Sequence, residues 1–501
     1  MQVEPDFDAF ERNYREGRSQ VLFTRRIADL ETPVSAWLKL AESRDNTFLF
    51  ESVQGGETRG RYSVIGIEPD LVWRTRDGCA EILENEQTGF VPAAHAERPL
   101  ESLRKLICDG RIDMPRALPP MAAGLFGYLG YDMVRFVERL GPAPFDPLNL
   151  PDAIMMRPTI VAVFDNIRDE ILVVTPVWPS SRVDAAVAYR RAAERLARAC
   201  SRLDSSLPSA PPLEQTVPSA AIESNIARAD YLAIVERAKA YVRAGDIFQV
   251  VPSQRFRRAF GLPAFALYRA LRRLNPSPFL YHLAFPGFAI VGSSPEILVR
   301  LRGGMVTIRP IAGTRPRGNT PEEDADLAED LIADPKERAE HLMLLDLGRN
   351  DVGRVARTGT VRVTETFFIE RYSHVMHLVS NVEGCIRDDL GAVDALVAGL
   401  PAGTLTGAPK IRAMEIIDEF EKEKRGAVYA GAVGYFAANG AMDTCIVLRT
   451  AVVKDGMMYV QAGGGVVADS VPESEFQETV NKAQALFSAA DEAARFAGGS
   501  G

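Results

Sequence analysis

The sequence predicts an α+β fold of two domains, in which mostly antiparallel sheets are packed with helices. Short apolar segments of strand character arrive in runs, several of them as consecutive pairs separated by turn residues. Amphipathic helical segments arrive in other runs, whereas a regular alternation of the two would indicate a parallel α/β sheet. The chain has 501 residues, of which 47% are hydrophobic, and this is more than a single core requires. Two large domains are therefore expected.

The clearest strand run is AVGYFAANGAMDTCIVLRTAVVKDGMMYVQ. Asn439-Gly440 and Asp455-Gly456 are dipeptides typical of hairpin turns, so the three apolar segments are predicted to form an antiparallel meander. Arg449 is expected inside the middle strand. A cation within an apolar strand is unusual unless it is paired or binds an anion.

The domain boundary is predicted from a stretch rich in Ser and Pro, SRLDSSLPSAPPLEQTVPSA, which marks a linker at residues 201–222. The helical segment AYRRAAERLARAC precedes it. A second helical segment, SNIARADYLAIVERAKAYVRAGD, follows it and is expected to end at Gly245. We therefore predict an N-terminal domain at residues 1–200 and a larger C-terminal domain at residues 223–492.

Composition excludes several classes of function. The net charge of −9 argues against nucleic acid or an anionic membrane surface as the main partner. No apolar stretch is long enough to cross a membrane, and the segment MQVEPDFDAFERN lacks the apolar region of a signal peptide. The five cysteines form no CxxC pair, so neither a disulfide framework nor a zinc site is indicated. A cytoplasmic, soluble protein is expected.

Two predicted helices each offer a pair of carboxylates on one face. In ADPKERAEHLML, Asp334 is expected to cap the helix, and Glu337 and Glu340 are three positions apart. In SVPESEFQETVNKAQALF, Glu475 and Glu478 have the same spacing. Carboxylate oxygens of this kind suit Mg²⁺. Each pair alone fits an ordinary helix surface better, and Glu337 alone fits a capping box.

Two glycine-containing segments suit the binding of an anion by the backbone. MMYVQAGGGVV ends a strand in Gly463, Gly464 and Gly465, which let backbone N–H groups approach an anion, although a tight turn is the simpler interpretation. GTLTGAPKIRAM places a Gly/Thr loop at a helix N-terminus, which suits a carboxylate or a phosphate. It is not a P-loop, because Lys410 is followed by Ile411 rather than by Ser or Thr.

Two single residues are candidates for proton transfer or for burial in the core. Glu296 in VGSSPEILVR is flanked by apolar segments, and burial there would raise the pKa of its carboxyl group and make it an acid. His377 in RYSHVMHLVSNVEG lies three positions after His374, but no third ligand is close by, so a core histidine is favoured over a zinc site. No G-x-S-x-G or G-x-C-x-G motif supplies a hydrolase nucleophile.

Taken together, several segments resemble the chorismate-utilising enzyme family, and most closely its anthranilate synthase large-subunit (component I) branch. They cover nearly all of the chain after residue 225, in family order. The N-terminal region matches more weakly, through FLFES and GRYSVIG. The segments are GDIFQVVPSQRF, NPSPFLYHL, VGSSPEILVR, RPIAGTRPRG, EHLMLLDLGRNDVGRV, YSHVMHLVSNVEG, LPAGTLTGAPKIRAMEII, YAGAVGYF, DTCIVLRT and QAGGGVVADSVPESEFQE.

The resemblance implies a magnesium site. Glu337, Glu340, Glu475 and Glu478 would surround one Mg²⁺ that holds the ring carboxylate of chorismate. Chorismate is a dianion, so one metal ion and one arginine inside an otherwise acidic protein are a consistent pair of binding groups. The ion would act by orientation and charge stabilisation, because ammonia is already a nucleophile.

The resemblance also implies roles for the remaining candidates. Glu296 would protonate the departing C4 hydroxyl, and His377 would assist the later loss of pyruvate. Tyr429 and Arg449 would lie near the enolpyruvyl carboxylate. The implied substrate-binding residues are Gly313, Thr314, Thr404, Tyr429, Arg449, Gly463, Gly464 and Gly465.

Ammonia needs a source, and none of the cysteines lies in a nucleophile motif. The resemblance therefore implies a separate glutamine amidotransferase subunit (component II) and a hetero-oligomer. Ala312 resembles anthranilate synthase, whereas a lysine there would resemble aminodeoxychorismate synthase component I of the folate pathway, which is the nearest alternative. A non-catalytic, tryptophan-sensing subunit is a third possibility, against which the intact carboxylate pairs, His377 and Glu296 argue.

The resemblance finally implies feedback inhibition by tryptophan, as expected for the first step of tryptophan biosynthesis. Ser52 follows Glu51 at the end of the strand TFLFES, and Pro278, Phe279 and Leu280 of NPSPFL match the segment that lines the same pocket. The family has a tyrosine where this chain has Phe279. The alternative is an ordinary edge strand and an ordinary turn. Glu51 and Ser52 are expected to bind the polar end of tryptophan.

Overall fold

The structure is a computed structural model, and it describes residues 1–41, 44–54, 58–84, 87–208, 221–372, 375–426 and 428–497. None of the helices in these ranges is long and apolar enough to span a membrane. The helices are α1 (Phe7–Arg15), α2 (Pro33–Ala41), α3 (Pro99–Asp109), α4 (Ala185–Leu203), α5 (Arg228–Ala244), α6 (Ala264–Leu274), α7 (Pro321–Ala333), α8 (Pro335–Val355), α9 (Ala392–Gly399), α10 (Lys410–Phe420), α11 (Pro472–Glu492) and α12 (Ala494–Ala497).

The strands are β1 (Gln20–Ile27), β2 (Thr47–Glu51), β3 (Val53–Gln54), β4 (Thr58–Arg59), β5 (Tyr62–Arg76), β6 (Cys79–Glu84), β7 (Val91–Pro92), β8 (Gly124–Leu129), β9 (Ala153–Asp165), β10 (Glu170–Val177), β11 (Glu223–Ser224), β12 (Gln249–Val250), β13 (Ser253–Ala259), β14 (Phe279–Phe285), β15 (Phe288–Ser294), β16 (Ile297–Arg302), β17 (Met305–Ile308), β18 (Ile311–Pro316), β19 (Arg362–Arg371), β20 (Val375–Cys385), β21 (Gly407–Ala408), β22 (Ala432–Ala437), β23 (Met442–Ile446), β24 (Thr450–Lys454) and β25 (Met457–Gly463).

Most strands join one antiparallel sheet that divides into two arms. At its centre β5 pairs with β9, from Tyr62 opposite Asp165 to Thr75 opposite Ala153. One arm runs from β5 through β2, β14, β15, β24, β25 and β13 to β11. The other runs from β9 through β8, β22, β23, β16 and β17 to β20, which also pairs with β18 and β19. The predicted α+β fold with mostly antiparallel sheets is confirmed.

The sheet crosses the predicted domain boundary. In one arm β2 pairs with β14, and in the other β8 pairs with β22. Helix α4 continues to Leu203, so the first residues of the predicted linker 201–222 are helical. Residues 209–220 of that linker lie outside the described ranges. Strands from both sides of the boundary therefore share backbone hydrogen bonds.

The inner faces of the two arms enclose a shared core. Phe48 and Tyr281 come from one arm, Phe126 and Val433 come from the other, and all four side chains are buried in one cluster. The rings of Phe48 and Phe126 stack with their centroids 4.5 Å apart. Alternate residues of a strand point to the same face, so Phe48 of β2 lies in this core whereas Leu49 lies in the core on the other face of the sheet.

The C-terminal strand run forms two hairpins rather than one meander. Gly440 (φ 89°) lies in the turn from β22 to β23, and Gly456 (φ 72°) lies in the turn from β24 to β25, as the turn dipeptides predict. The prediction of a single middle strand is wrong, because the strand breaks between Ile446 and Thr450 and continues in the other arm. Arg449 lies in this break with a φ of 48°, a conformation that residues with a Cβ rarely adopt.

Candidate active site

Glu296 is a buried acid between the end of β15 and the start of β16. Its side chain accepts a hydrogen bond from the Thr404 hydroxyl, with 3.3 Å between Thr404 Oγ1 and Glu296 Oε1. Thr404 is held by the 3₁₀ turn Gly403–Leu405. Burial raises the pKa of Glu296 to about 8, although Thr404 and the charge of Arg449 favour its ionised form. The carboxyl group is therefore protonated at neutral pH and can donate a proton.

Arg449 is the cation of the site. Its guanidinium makes neither a hydrogen bond nor an ion pair with any residue in the described part of the chain. Burial lowers the pKa of Arg449, while the nearby Tyr372 and Glu296 favour its charged form. The guanidinium stays charged at physiological pH, because its ordinary pKa is above 12. A desolvated cation without a protein partner is suited to binding an anion.

His377 lies on β20 opposite Thr314 of β18. Its Nδ1 is 2.9 Å from the carbonyl oxygen of Gly313 and 3.1 Å from Thr314 Oγ1. A carbonyl oxygen accepts hydrogen bonds, so Nδ1 carries the proton and Nε2 of the neutral ring has a free lone pair. Burial lowers the pKa of His377 from its ordinary value of 6.5. The imidazole is therefore a neutral base at pH 7. His374 lies outside the described residues.

Tyr372, which the sequence did not single out, completes this corner of the site. Its ring meets His377 edge-on at 5.5 Å between centroids. Its hydroxyl donates a hydrogen bond of 3.0 Å to Glu370, which lies opposite His377 in the β19–β20 ladder. An aromatic residue in the motif quoted for His377 was the available signal, but its ring contact depends on the strand register.

The two carboxylate pairs occupy the first two turns of α8 and α11, with Glu337 and Glu475 in the first turns. Burial, then Glu337 and Glu478, raise the pKa of Glu340. Burial and Glu478 likewise raise the pKa of Glu475, and Glu475 Oε2 is buried without a hydrogen-bond partner. Glu478 on α11 therefore acts electrostatically on Glu340 of α8. The structure brings the two predicted pairs together, and like charges disfavour their joint ionisation.

The carboxylates are not arranged as a closed metal cage. Within the described ranges, no group of three His, Cys, Asp or Glu side chains converges closely enough to hold a metal ion. Lys482, which the sequence analysis missed, lies 2.6 Å from Glu478 Oε1 and donates to the carbonyl oxygen of Gly463 at 2.9 Å. Asp334 caps α8 as predicted, but Glu337 contacts Arg315 at 3.4 Å.

The glycine run at the end of β25 lies between the candidate residues. A Cβ added to Gly463 would be 3.0 Å from the Tyr429 hydroxyl, and one added to Gly464 would be 3.0 Å from Glu475 Oε2. Glycine is required here for close approach. Burial raises the pKa of Tyr429 to about 12, so its hydroxyl is a donor at neutral pH.

Gln249 is a further buried polar residue that the sequence analysis did not single out. A Cβ on Gly465 would lie 2.3 Å from Gln249 Nε2. Gln249 Oε1 is buried and has no hydrogen-bond partner within the described part of the chain. An unpaired buried acceptor beside the glycine run is an open position for a ligand N–H. The segment GDIFQVV carried this residue, but its burial and missing partner depend on the tertiary structure.

Strand pairing brings the predicted regulatory residues together. Glu51, at the end of β2, lies opposite Leu280 of β14, so Ser52 and Phe279 are the next positions of the two strands. The carboxylate of Glu51 is held by Arg272 at 2.6 and 3.0 Å and by the Tyr268 hydroxyl at 2.5 Å. The carboxylate of Glu51 is therefore held in place from within the protein, and direct binding of tryptophan by Glu51 stays a prediction.

Comparisons with known proteins show the family and the fold of this chain. The sequence model of the chorismate binding enzyme family matches residues 46–488. Anthranilate synthase component 1 of Cereibacter sphaeroides is 59% identical over 494 residues, which are 98% of this chain and 98% of the relative. The component 1 of Pseudomonas putida is 51% identical over 470 residues, which are 92% of this chain and 93% of the relative.

Solved structures give the same result. Anthranilate synthase component I from Streptococcus pneumoniae superposes with a TM-score of 0.75 at 36% identity, over 92% of this chain and 99% of that chain. MenF, the menaquinone-specific isochorismate synthase from Escherichia coli, superposes with a TM-score of 0.68 at 20% identity, over 96% of this chain and 99% of that chain, and supports the fold alone. The chain therefore belongs to the anthranilate synthase component 1 family of chorismate binding enzymes.

Proposed function

We propose that this chain is the chorismate-using subunit of an anthranilate synthase. It converts chorismate and ammonia into anthranilate, pyruvate and water, so every atom of the two substrates is accounted for. One observation carries the proposal: a buried acid and a neutral imidazole, Glu296 and His377, both lie within the electrostatic influence of the unpaired Arg449. Amination with loss of a hydroxyl needs the acid, and the later elimination needs the base.

In the first step ammonia adds to the ring and the C4 hydroxyl leaves. Glu296 donates a proton to that oxygen, so the leaving group is water rather than hydroxide. The raised pKa of Glu296 keeps the proton in place at neutral pH. Thr404 fixes the direction of the carboxyl group through its hydrogen bond. General acid catalysis of this kind contributes about 10²–10⁴-fold.

In the second step the ring loses a proton and pyruvate, and becomes aromatic. His377 takes the proton at Nε2, because Nδ1 is engaged with the Gly313 carbonyl. The edge-on ring of Tyr372 limits rotation of the imidazole. The lowered pKa of His377 keeps the ring neutral and able to accept.

The two carboxylates of chorismate need separate binding groups. Arg449 and the Tyr429 hydroxyl bind the enolpyruvyl carboxylate. The backbone of Gly463, Gly464 and Gly465, together with Gly313 and Thr314, lines the substrate.

The carboxylates at the other end of the site have the donor chemistry that suits Mg²⁺, although those in the described ranges do not form a closed cage. Glu337, Glu340, Glu475 and Glu478 supply the oxygen donors this ion prefers, and the unpartnered Glu475 Oε2 is free to accept it. When bound, Mg²⁺ supplies positive charge that orients and neutralises the ring carboxylate.

Ammonia comes from a glutamine amidotransferase partner in a hetero-oligomer, and tryptophan inhibits from the segment around Ser52 and Phe279. A cytoplasmic location belongs to the same proposal.

The cysteines do not provide a glutaminase nucleophile. Cys200 and Cys445 are buried, Cys385 is half-buried, and Cys79 and Cys108 are exposed. Burial also raises the pKa of the Cys445 thiol, which is the opposite of nucleophile activation. The purified chain is therefore expected to use ammonia but not glutamine.

The experiment is a product assay. The purified chain is incubated with chorismate and Mg²⁺, with either ammonium or glutamine as the nitrogen source. Fluorescent anthranilate and equimolar pyruvate from ammonium alone are the expected result. An aminated product that keeps its enolpyruvyl group would instead indicate aminodeoxychorismate synthesis. Turnover of glutamine by the chain alone would contradict the need for a partner.

A further inference from the structure

The turn that carries Arg449 is anchored by two neighbouring strands, and no substrate-binding residue named above contributes to the anchor. Residues 447–449 connect β23 of one arm to β24 of the other. The left-handed conformation of Arg449 persists in a residue with a Cβ when the surrounding structure holds it. The backbone N–H of Ser293, on β15, donates to the carbonyl oxygen of Arg449 at 3.2 Å.

A tyrosine from β14 supplies the second anchor. The Tyr281 hydroxyl lies 2.6 Å from Thr450 Oγ1, and Thr450 Oγ1 donates to the carbonyl oxygen of Leu448 at 2.8 Å. A threonine hydroxyl has one proton, so Thr450 accepts from Tyr281 while it donates to Leu448. The hydrogen bonds therefore run in one direction, from Tyr281 through Thr450 into the turn.

Gly292 makes this contact possible. It lies opposite Tyr281 on one side and opposite Thr450 on the other, so the tyrosine reaches across a whole strand. A Cβ on Gly292 would lie 2.4 Å from the Tyr281 ring and 2.5 Å from its hydroxyl. Any side chain at position 292 would displace the ring, since real Cβ contacts are not that short.

We propose that Tyr281, in the space that Gly292 leaves, is a positioning residue for Arg449. Two anchors hold the turn, one on each side of Arg449. The first is the hydrogen-bonded pair of Tyr281 and Thr450, and the second is the backbone N–H of Ser293. The guanidinium thus stays directed at the site without a partner among the residues that the structure describes. The inference rests on the proposed function, in which Arg449 binds a carboxylate of chorismate. Loosening the turn should weaken chorismate binding and leave the proton-transfer residues in place.

A purely structural role for the Tyr281 hydroxyl would give a different result, and Tyr128 is the matched control. Tyr128 is also fully buried in the core between the arms, and its hydroxyl donates to the Pro151 carbonyl at 2.7 Å. Tyr128→Phe and Tyr281→Phe each remove one buried hydroxyl. Both should lower Tm by similar amounts, but Tyr281→Phe alone removes a contact with the Arg449 turn.

The test measures anthranilate formation by the full chain, with chorismate varied at saturating ammonium and Mg²⁺. Tyr281→Phe is expected to raise the KM for chorismate ~5-fold, which corresponds to about 1 kcal/mol, with kcat and the KM for ammonia within about twofold of the wild type. Thr450→Val removes this contact and also the hydrogen bond to the Leu448 carbonyl, so it should raise the KM at least as much. The double variant should be no worse than Thr450→Val alone, because Tyr281→Phe then has no further contact with the turn to remove. Gly292→Ala should raise KM by at least about tenfold, since it displaces the whole ring.

A KM for chorismate in Tyr281→Phe equal to that of Tyr128→Phe would overturn the inference, as would a loss confined to kcat. If Gly292→Ala does not fold, Tyr281→Phe and Thr450→Val are sufficient to test the positioning role of Tyr281. Calorimetric titration of chorismate gives a Kd without turnover. A wild type that makes no anthranilate refutes the proposed function, whereas equal Kd values for wild type and Tyr281→Phe refute this positioning role.

Discussion

The hydroxyl of Thr404 donates a hydrogen bond of 3.3 Å to Glu296, across 108 positions of the chain. A donor of this kind favours the ionised carboxylate, yet the pKa of Glu296 is raised to about 8. Burial therefore outweighs both Thr404 and the positive charge of Arg449. The balance leaves Glu296 protonated at neutral pH but close enough to its pKa to release the proton.

The acid role predicts a descending pH profile. The protonated form of Glu296 is the active one, so kcat should fall as pH rises through about 8, provided that the concentration of free ammonia is held constant. Glu296→Gln should lower kcat by at least about 10²-fold with little change in Tm. Thr404→Val removes a donor that favours the ionised form, so the inflection should move to higher pH. A Glu296→Gln variant with near wild-type kcat would contradict the assignment.

The carboxylate pairs predict an absolute requirement for Mg²⁺. Glu340→Gln or Glu478→Gln should abolish activity and leave the fold intact, and EDTA should abolish the activity of the wild type. Mg²⁺ should raise the Tm of the wild type, because a ligand that binds the folded state stabilises it. In the variants that increase should be reduced or lost.

The melting temperature of Glu340→Gln in the absence of Mg²⁺ gives a second test. The pKa of Glu340 is raised by burial and by Glu337 and Glu478, so neutralising this residue removes repulsion. Without Mg²⁺, Glu340→Gln should therefore melt at or above the wild-type Tm. Glu473→Gln, in the first turn of α11 and paired with Arg228, is the control and should keep full activity. Full activity in EDTA would refute the magnesium assignment.

His377 is predicted to act in aromatisation rather than in amination. His377→Ala should accumulate an aminated, non-aromatic intermediate, because the second step loses its base while Glu296 still supports the first. Chromatography of quenched reactions, with absorbance and mass detection, checks this. Tyr372→Phe is the milder variant: it keeps the edge-on ring and removes the contact with Glu370. If His377→Ala loses amination altogether, the assignment of Glu296 to amination and of His377 to aromatisation is wrong.

Tryptophan is predicted to inhibit from a site distinct from the chorismate site. Ser52 continues β2 past Glu51, beside the start of β14, and a large side chain there should block the pocket. Ser52→Arg should therefore remove inhibition and leave kcat largely unchanged. Asp45→Arg adds the same side chain at an exposed position before β2 and should leave inhibition intact.

Reciprocity sharpens this test. If tryptophan prefers an inactive arrangement, chorismate must weaken tryptophan binding by the same factor by which tryptophan weakens chorismate binding. Calorimetric titrations of each ligand in the presence of the other measure both factors. Unchanged tryptophan inhibition in Ser52→Arg would place the regulatory site elsewhere.

Local features of this protein could be predicted from the sequence because neighbouring residues determine them. The turns at Gly440 and Gly456, the end of α5 at Gly245 and the cap of α8 at Asp334 each depend on backbone preferences within a few positions. Helical spacing likewise predicted that Glu337 and Glu340 share a face. The motifs carried the family resemblance, which the comparisons confirm.

The tertiary structure decided which candidate side chains are buried and which residues they contact. The break at Arg449 follows from the transfer of the chain between arms, and the apolar run CIVLRTAVV does not indicate it. The carboxylate of Glu51 is paired with Arg272, which lies 221 positions away in the chain, and no local sequence pattern indicated this pairing. The sequence by itself determined the local elements, the family and the candidate side chains. The charge states of those side chains, and which of their polar atoms remain unpaired, depend on desolvation and on contacts between distant segments. These contacts exist only once the arms and helices have packed.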